Sequence, residues 1–228
     1  MQHSVLYRPS FAVAHVLLDA GESIRTESGA MVGMSSNLNL QSKMEGGFLK
    51  SLARSAFAGE SMFQSTYTSQ GGPGEILLAP STPGDVMGIE MNDTSFLIQS
   101  GSWLAGSTGL NIETKFAGAR SMLSGEGAFM VKVTGTGLLL LASYGAIHKI
   151  VLDAGETYIV DSGHIVAFEA GVKYTLEKAA KGFMASMTSG EGVVCRYTGP
   201  GEIYLQTRNL AAFAQQLIPF LPKPSPGN

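Results

Sequence analysis

The chain has 228 residues, which allows one or two domains. Hydrophobic residues make up 44% and charged residues only 14%, against roughly 25% charged in ordinary soluble domains. A net charge of −3 with 15 scattered Lys and Arg excludes a phosphate-neutralising surface of the usual kind, and the single cysteine, Cys195, excludes intrachain disulfides and multi-cysteine metal sites.

The 29 glycines suit many short strands and tight turns. Solvated surface normally carries more charge than this chain supplies, so other subunits are expected to cover part of it. A homo-oligomer is therefore expected, and no nucleic-acid partner. In chain order, the first apolar run is Phe11 to Leu18. Only Arg8 is basic before it and Pro9 follows directly, so it reads as a strand and not as a signal peptide. The uncharged stretch Thr94 to Ile112 is rich in Ser, Gly and Thr, unlike a spanning helix of about 20 mostly apolar residues. The expected location is cytoplasmic, with peripheral contact to a membrane as an open option.

Two motif sets recur in order. Leu18-Asp19-Ala20-Gly21-Glu22 matches Leu152-Asp153-Ala154-Gly155-Glu156. Ser-Gly segments read SGAMVGMSSNL from Ser28, SGSWLAGSTGL from Ser100 and SGHIVAFEAGV from Ser162. Gly-Glu pairs at Gly59, Gly125 and Gly190 step by 66 and 65 residues. Gly-x-Gly motifs ending at Gly74, Gly137 and Gly201 step by 63 and 64, and each leads into an apolar strand. Such periodicity predicts three diverged copies, roughly 5–79, 80–141 and 142–206, each with about five short strands. Alternation and β-branched or aromatic content make the runs extended, and Asp-Ala-Gly-Glu supplies turn residues. One copy of this size is marginal alone, so the copies are expected to share buried faces. The predicted fold is all-β: three repeats of short antiparallel strands, as a β-sandwich or prism in pseudo-threefold arrangement.

Two segments break the strand pattern. The first copy carries an insertion over residues 46–57, where Phe48, Leu49, Leu52 and Phe57 are spaced as in a short amphipathic helix. These four are the candidate surface for a protein partner or a membrane, set against a bland role of covering a sheet end. The second segment predicts a C-terminal helix over 207–222. Asn209 caps it, Leu210, Phe213, Leu217 and Leu221 form one stripe, and a loose tail follows at 223–228.

No catalytic constellation emerges. Asp19, Glu22, Asp153 and Glu156 recur at one place in two copies, as turn geometry requires and a single catalytic pair does not. The Gly-x-Gly motifs open strands, whereas a phosphate loop must open a helix. Cys195 lies in a strand-like run and reads as a packing residue. Trp103 takes a position filled elsewhere by Met31 and Ile165, which suits the core. His164 stands where the other copies have Ala30 and Ser102, which makes it the candidate ligand or interface residue. A small-molecule-binding or cupin-like site near His164 is the alternative reading. No His-x-His pair accompanies it, and zinc usually needs three or four ligands. No enzyme activity, cofactor or metal is therefore expected.

Several ordered features carry a family resemblance. They are Gly-Glu-Ser-Met-Phe from Gly59, Gly-Pro-Gly-Glu-Ile-Leu-Leu-Ala-Pro from Gly72, Gly-Glu-Gly-Ala-Phe from Gly125 and Gly-Pro-Gly-Glu-Ile-Tyr-Leu-Gln-Thr-Arg-Asn from Gly199. Together they resemble the family named for altered inheritance of mitochondria protein 24, over roughly residues 5 to 210. The resemblance implies a β-sandwich like that of the tryptophan RNA-binding attenuation protein, repeated within the chain. Fungal members are associated with the mitochondrial inner membrane and its organisation. Without an Arg-rich presequence after Met1, this chain looks like the bacterial form. The resemblance implies no catalytic residues, and no motif here matches the attenuation protein's RNA-binding residues. Together these readings make the chain a non-enzymatic oligomeric scaffold or binding protein.

Overall fold

The computed structural model describes residues 1–43, 64–113, 130–178 and 193–221. The 46–57 insertion, with Phe48, Leu49, Leu52 and Phe57, lies outside the described residues, as do the three Gly-Glu pairs and the tail at 223–228. The first strands are β1 (Gln2–Leu6), β2 (Val13–Leu18), β3 (Ser23–Glu27), β4 (Met31–Met34), β5 (Leu38–Lys43), β6 (Gln64–Ser69) and β7 (Gly74–Leu78). The chain continues through β8 (Val86–Gln99), β9 (Trp103–Ser107), β10 (Asn111–Glu113) and β11 (Met130–Ala142). Last come β12 (Ile147–Leu152), β13 (Thr157–Asp161), β14 (Ile165–Glu169), β15 (Lys173–Lys178), β16 (Val193–Thr198) and β17 (Gly201–Gln206).

All named strand pairs are antiparallel. One kind of pair joins β2 to β7, β12 to β17, and the first half of β8 to the second half of β11. A second joins β3 to β6, β13 to β16, and the second half of β8 to the first half of β11. Further pairs are β5 with β6, β10 with β11 and β15 with β16. Then β4 lies on β7, β9 on β11 and β14 on β17. Each of these ladders shifts register once, beside Gly33, Leu141 and Ala167 respectively. Such one-residue shifts bend a strand and raise its twist.

The ladders form a four-stranded sheet in the order β1-β2-β7-β4, a ten-stranded sheet and a three-stranded sheet in the order β13-β16-β15. The expectation of short strands throughout needs correction, because β8 runs 14 residues and β11 runs 13. Where the chain elsewhere turns through Asp-Ala-Gly-Glu, β8 carries Asn92 and Asp93 instead. Opposite them the ladder slips between Gly135 and Gly137. Asp93 takes a left-handed φ of 52°, and its amide donates to Thr136 Oγ1 at 3.1 Å. The two strands therefore bend together and pass from one sheet region to the next without breaking.

The two Asp-Ala-Gly-Glu turns share one construction. Gly21 and Gly155 each sit at φ 81°, which an L side chain adopts only under strain. Glu22 Oε2 accepts the Asp19 amide at 2.8 Å, and Glu156 Oε2 accepts the Asp153 amide at 2.9 Å. Both carboxylates thus close their own turns.

Three apolar clusters form the core. The first gathers Val16, Leu18, Ile24, Ile76, Leu78, Leu138 and Leu140. A second holds Met91, Phe96, Ile98, Trp103, Leu139, Leu141 and Val166. The third holds Leu97, Leu152, Val160, Phe168, Cys195, Tyr197 and Ile203. Side chains alternate across a strand, so Leu138 and Leu140 enter one cluster while Leu139 and Leu141 enter the next. This explains the unbroken leucine run: both faces of β11 are interior there. Each such leucine contributes about 1.5–3 kcal/mol relative to exposure.

The C-terminal helix expected from the stripe is α1 (Leu210–Leu217), shorter than predicted and followed by a single 3-10 turn, Ile218–Phe220. Asn209 caps it as expected, accepting the Ala212 amide at 3.1 Å.

Candidate functional site

His164 ends a 3-10 turn, Ser162–His164, that leads into β14. Asp161 Oδ1 accepts the Gly163 amide at 2.8 Å and fixes the start of that turn. His164 Nδ1 lies 2.7 Å from the Gln206 carbonyl, so the ring donates there as the Nδ1–H tautomer. Gln206 reaches back, its amide donating to the Gly163 carbonyl at 3.0 Å, while its side-chain oxygen accepts the Tyr144 amide at 3.0 Å. His164 therefore ties the turn to the end of β17. Gly163 packs directly against Asn209, the cap of α1, so the same knot anchors the C-terminal helix. Among the described residues, no group of three or more His, Cys, Asp or Glu is placed to hold a metal.

Cys195 is 1% exposed in β16, opposite Val160 and Leu176. Burial pushes its thiol up to about 11. The nucleophilic thiolate is therefore scarce at neutral pH. Native protein at pH 7.5 is expected to resist iodoacetamide at Cys195, whereas urea-unfolded protein takes one label. Intact mass reads both. Rapid native labelling would contradict the buried placement.

Trp103 is 1% exposed, in the core as expected from its repeat position. An ion pair that sequence reasoning missed ties the N-terminal segment to the start of β8. Arg8 Nε and Nη2 donate to Asp85 Oδ1 and Oδ2 at 2.8 and 2.9 Å, and Asp85 also accepts the Val86 amide at 2.9 Å. Nothing in local sequence connects residues 77 apart.

Apolar side chains also face outward on ordered elements. Val32 on β4 is 61% exposed and Ile159 on β13 is 50% exposed. None of the residues of α1 is buried. Leu210, Phe213, Leu217, Ile218 and Phe220 all lie open, with Phe213 tilted against Tyr144 at a ring separation of 6.0 Å. No helix among the described residues is long and apolar enough to cross a membrane.

Fold and surface together define the class: the described residues are mostly β, in several antiparallel sheets, with one short helix near the C-terminus and apolar strands open at sheet edges. It belongs to the family described as mitochondrial biogenesis AIM24, whose pattern matches residues 3–208. An uncharacterised protein of Streptococcus pyogenes serotype M6 is 35% identical over 224 residues, covering 94% of this chain and 89% of that one. The crystal structure of a protein from Streptococcus pyogenes superposes with a TM-score of 0.81 at 32% identity. That match covers 96% of this chain and 99% of that one.

Proposed function

We propose that the chain is a non-enzymatic scaffold or binding protein that works as a homo-oligomer of three-unit subunits. The observation that carries this is the set of large apolar side chains left open on ordered strands and on α1, in a chain with only 14% charged residues. Exposed apolar side chains that gather into patches mark sites of association.

The three-unit reading is supported by the strand ladders. The β2–β7, β8–β11 and β12–β17 pairs recur in chain order, and each is flanked by a strand whose ladder shifts register once. The non-enzymatic reading is supported by how the candidate groups are used. Glu22 and Glu156 close turns, the His164 ring binds a backbone carbonyl and Cys195 is buried.

Native mass spectrometry of the purified chain tests the reading. A discrete multimer at micromolar concentration is expected, and a monomer at every concentration would overturn it. Membrane association is a separate part of the proposal, supported by the open apolar face of α1. Wild-type protein is expected to float with liposomes of mixed anionic and zwitterionic lipid, and Phe213→Asp with Leu217→Asp to stay in the pellet fraction. No flotation on any lipid mixture removes this part and leaves the oligomer untouched.

A further inference from the structure

Two junctions inside the chain follow one rule. At the first, β3 pairs β9, with Ile24 opposite Ser107, Arg25 opposite Gly106 and Thr26 opposite Ala105. At the second, β8 pairs β14, with Phe96 opposite Glu169, Leu97 opposite Phe168 and Ile98 opposite Ala167. The strands on either side show which residues correspond. Ile24 lies opposite Tyr67 and Phe96 opposite Val133, as Tyr158 lies opposite Tyr197. Ala105 lies opposite Leu140 and Ala167 opposite Tyr204, as Gly33 lies opposite Leu77.

By that rule β13 is a strand of the first kind, like β3, and β4 is a strand of the second kind, like β9. Yet β13 ends the three-stranded sheet and β4 ends the four-stranded sheet, so the two do not pair with each other in the chain. Each copy therefore carries both halves of a junction that it leaves open.

We propose that β13 of one copy pairs antiparallel with β4 of a second copy, with Tyr158 opposite Ser35, Ile159 opposite Met34 and Val160 opposite Gly33. This deepens the oligomeric reading and rests on it.

Side-chain chemistry fits that register. At both internal junctions a β-branched residue faces alanine, Thr26 on Ala105 and Ile98 on Ala167, and the open junction sets Val160 against Gly33. The second internal junction also sets Leu97 against Phe168, both buried at 3% and 2%. Its counterparts Ile159 and Met34 are equally apolar but 50% and 39% exposed. Pairing would bury them as their counterparts are buried.

Neither open edge is guarded by Pro or by charge along its length, and the bulge beside Gly33 in β4 has counterparts in β9 and β14, which pair a further strand all the same. Natural proteins blunt an open edge with charge, Pro or bulges that turn it away. Edge strand β15 carries Lys173, Glu177 and Lys178, and edge strand β12 carries His148 and Lys149. Strand β4 reads Met-Val-Gly-Met with no charge, and β13 reads Thr-Tyr-Ile-Val-Asp with one, at its end. Open main-chain donors and acceptors beside apolar side chains are the surface that strand addition uses. Because the two halves differ, the contact is heterologous and repeats head to tail, and a discrete multimer requires that it close into a ring.

Two single variants of the full chain, Met34→Cys and Ile159→Cys, test the pairing. Both positions are half-exposed, and Cys195 is too buried to compete. Mixed in equal amounts and oxidised gently, they are expected to give a covalent dimer holding one of each. Neither variant alone should give more than a small fraction of that yield. A chain carrying both substitutions should give covalently linked multimers on a non-reducing gel. If native mass spectrometry shows a multimer and the mixture still fails to cross-link, this pairing is wrong while the oligomeric reading stands. A disulfide formed within one doubly substituted chain also overturns it, since the junction would then close inside a subunit. A wild-type monomer at every concentration overturns both.

Discussion

Trp103→Ala is expected to lower the unfolding free energy by about 3–5 kcal/mol, read as a shift of the urea midpoint. Trp103 opens β9 opposite Leu141 and is 1% exposed. Around it lie Met91, Phe96, Ile98, Leu139, Leu141 and Val166, from strands of different ladders. Truncation removes the ring from a site that strands on several sides hold open, so little collapse can fill the space. The indole Nε1–H is buried and has no hydrogen-bond partner among the described residues. An unpaired buried donor costs about 1–3 kcal/mol. Trp103→Phe loses some packing but also removes that donor, so it is expected to stay within about 1 kcal/mol of wild type. A phenylalanine variant as unstable as the alanine variant would contradict this, since a phenyl ring would then recover none of the lost packing.

Arg8→Ala is expected to cost about 2–3 kcal/mol by the same measurement. The Asp85 side chain is 2% exposed, while that of Arg8 is 45% exposed. Losing the guanidinium leaves a buried carboxylate with the Val86 amide and no counter-charge. The cost falls below the 3–5 kcal/mol typical of breaking a fully buried pair, because water reaches the Arg8 side. Arg8→Lys should recover only part of the loss, since an ammonium cannot bind both carboxylate oxygens in the planar fork. Full recovery by lysine would mean that charge alone holds the segment.

Strand content and turn positions were legible in sequence because they are local. Asp-Ala-Gly-Glu predicts a turn from residue chemistry, and the Glu22 and Glu156 contacts give the mechanism. Asn209 was legible as a cap for the same reason. The length of β8 was not. Asn and Asp are common turn residues, and at Asn92 and Asp93 only the slipped ladder opposite Gly135 and Gly137 lets the strand run on. The Arg8–Asp85 pair and the anchoring of His164 to Gln206 were hidden because each joins residues distant in sequence. Open edges are hidden for a different reason. Apolar alternation is the same whether the neighbouring strand belongs to the chain or to another copy, so Met31 to Met34 and Thr157 to Asp161 read like any strand. The expected surface at Phe48, Leu49, Leu52 and Phe57 lies outside the described residues.

The proposed assembly through strand edges would tie the low charge, the uncharged strand β4 and the internal junctions to one cause: sheets that a single chain leaves unfinished. Hydrogen exchange followed across a dilution series tests this most directly. The amides of β4 that point away from β7, and those of β13 that point away from β16, are expected to exchange as slowly as the β3–β9 ladder at assembled concentrations. They should speed up together on dilution while the β3–β9 ladder stays protected. Fast exchange of both edges at every concentration, in protein that is otherwise protected, would contradict the account.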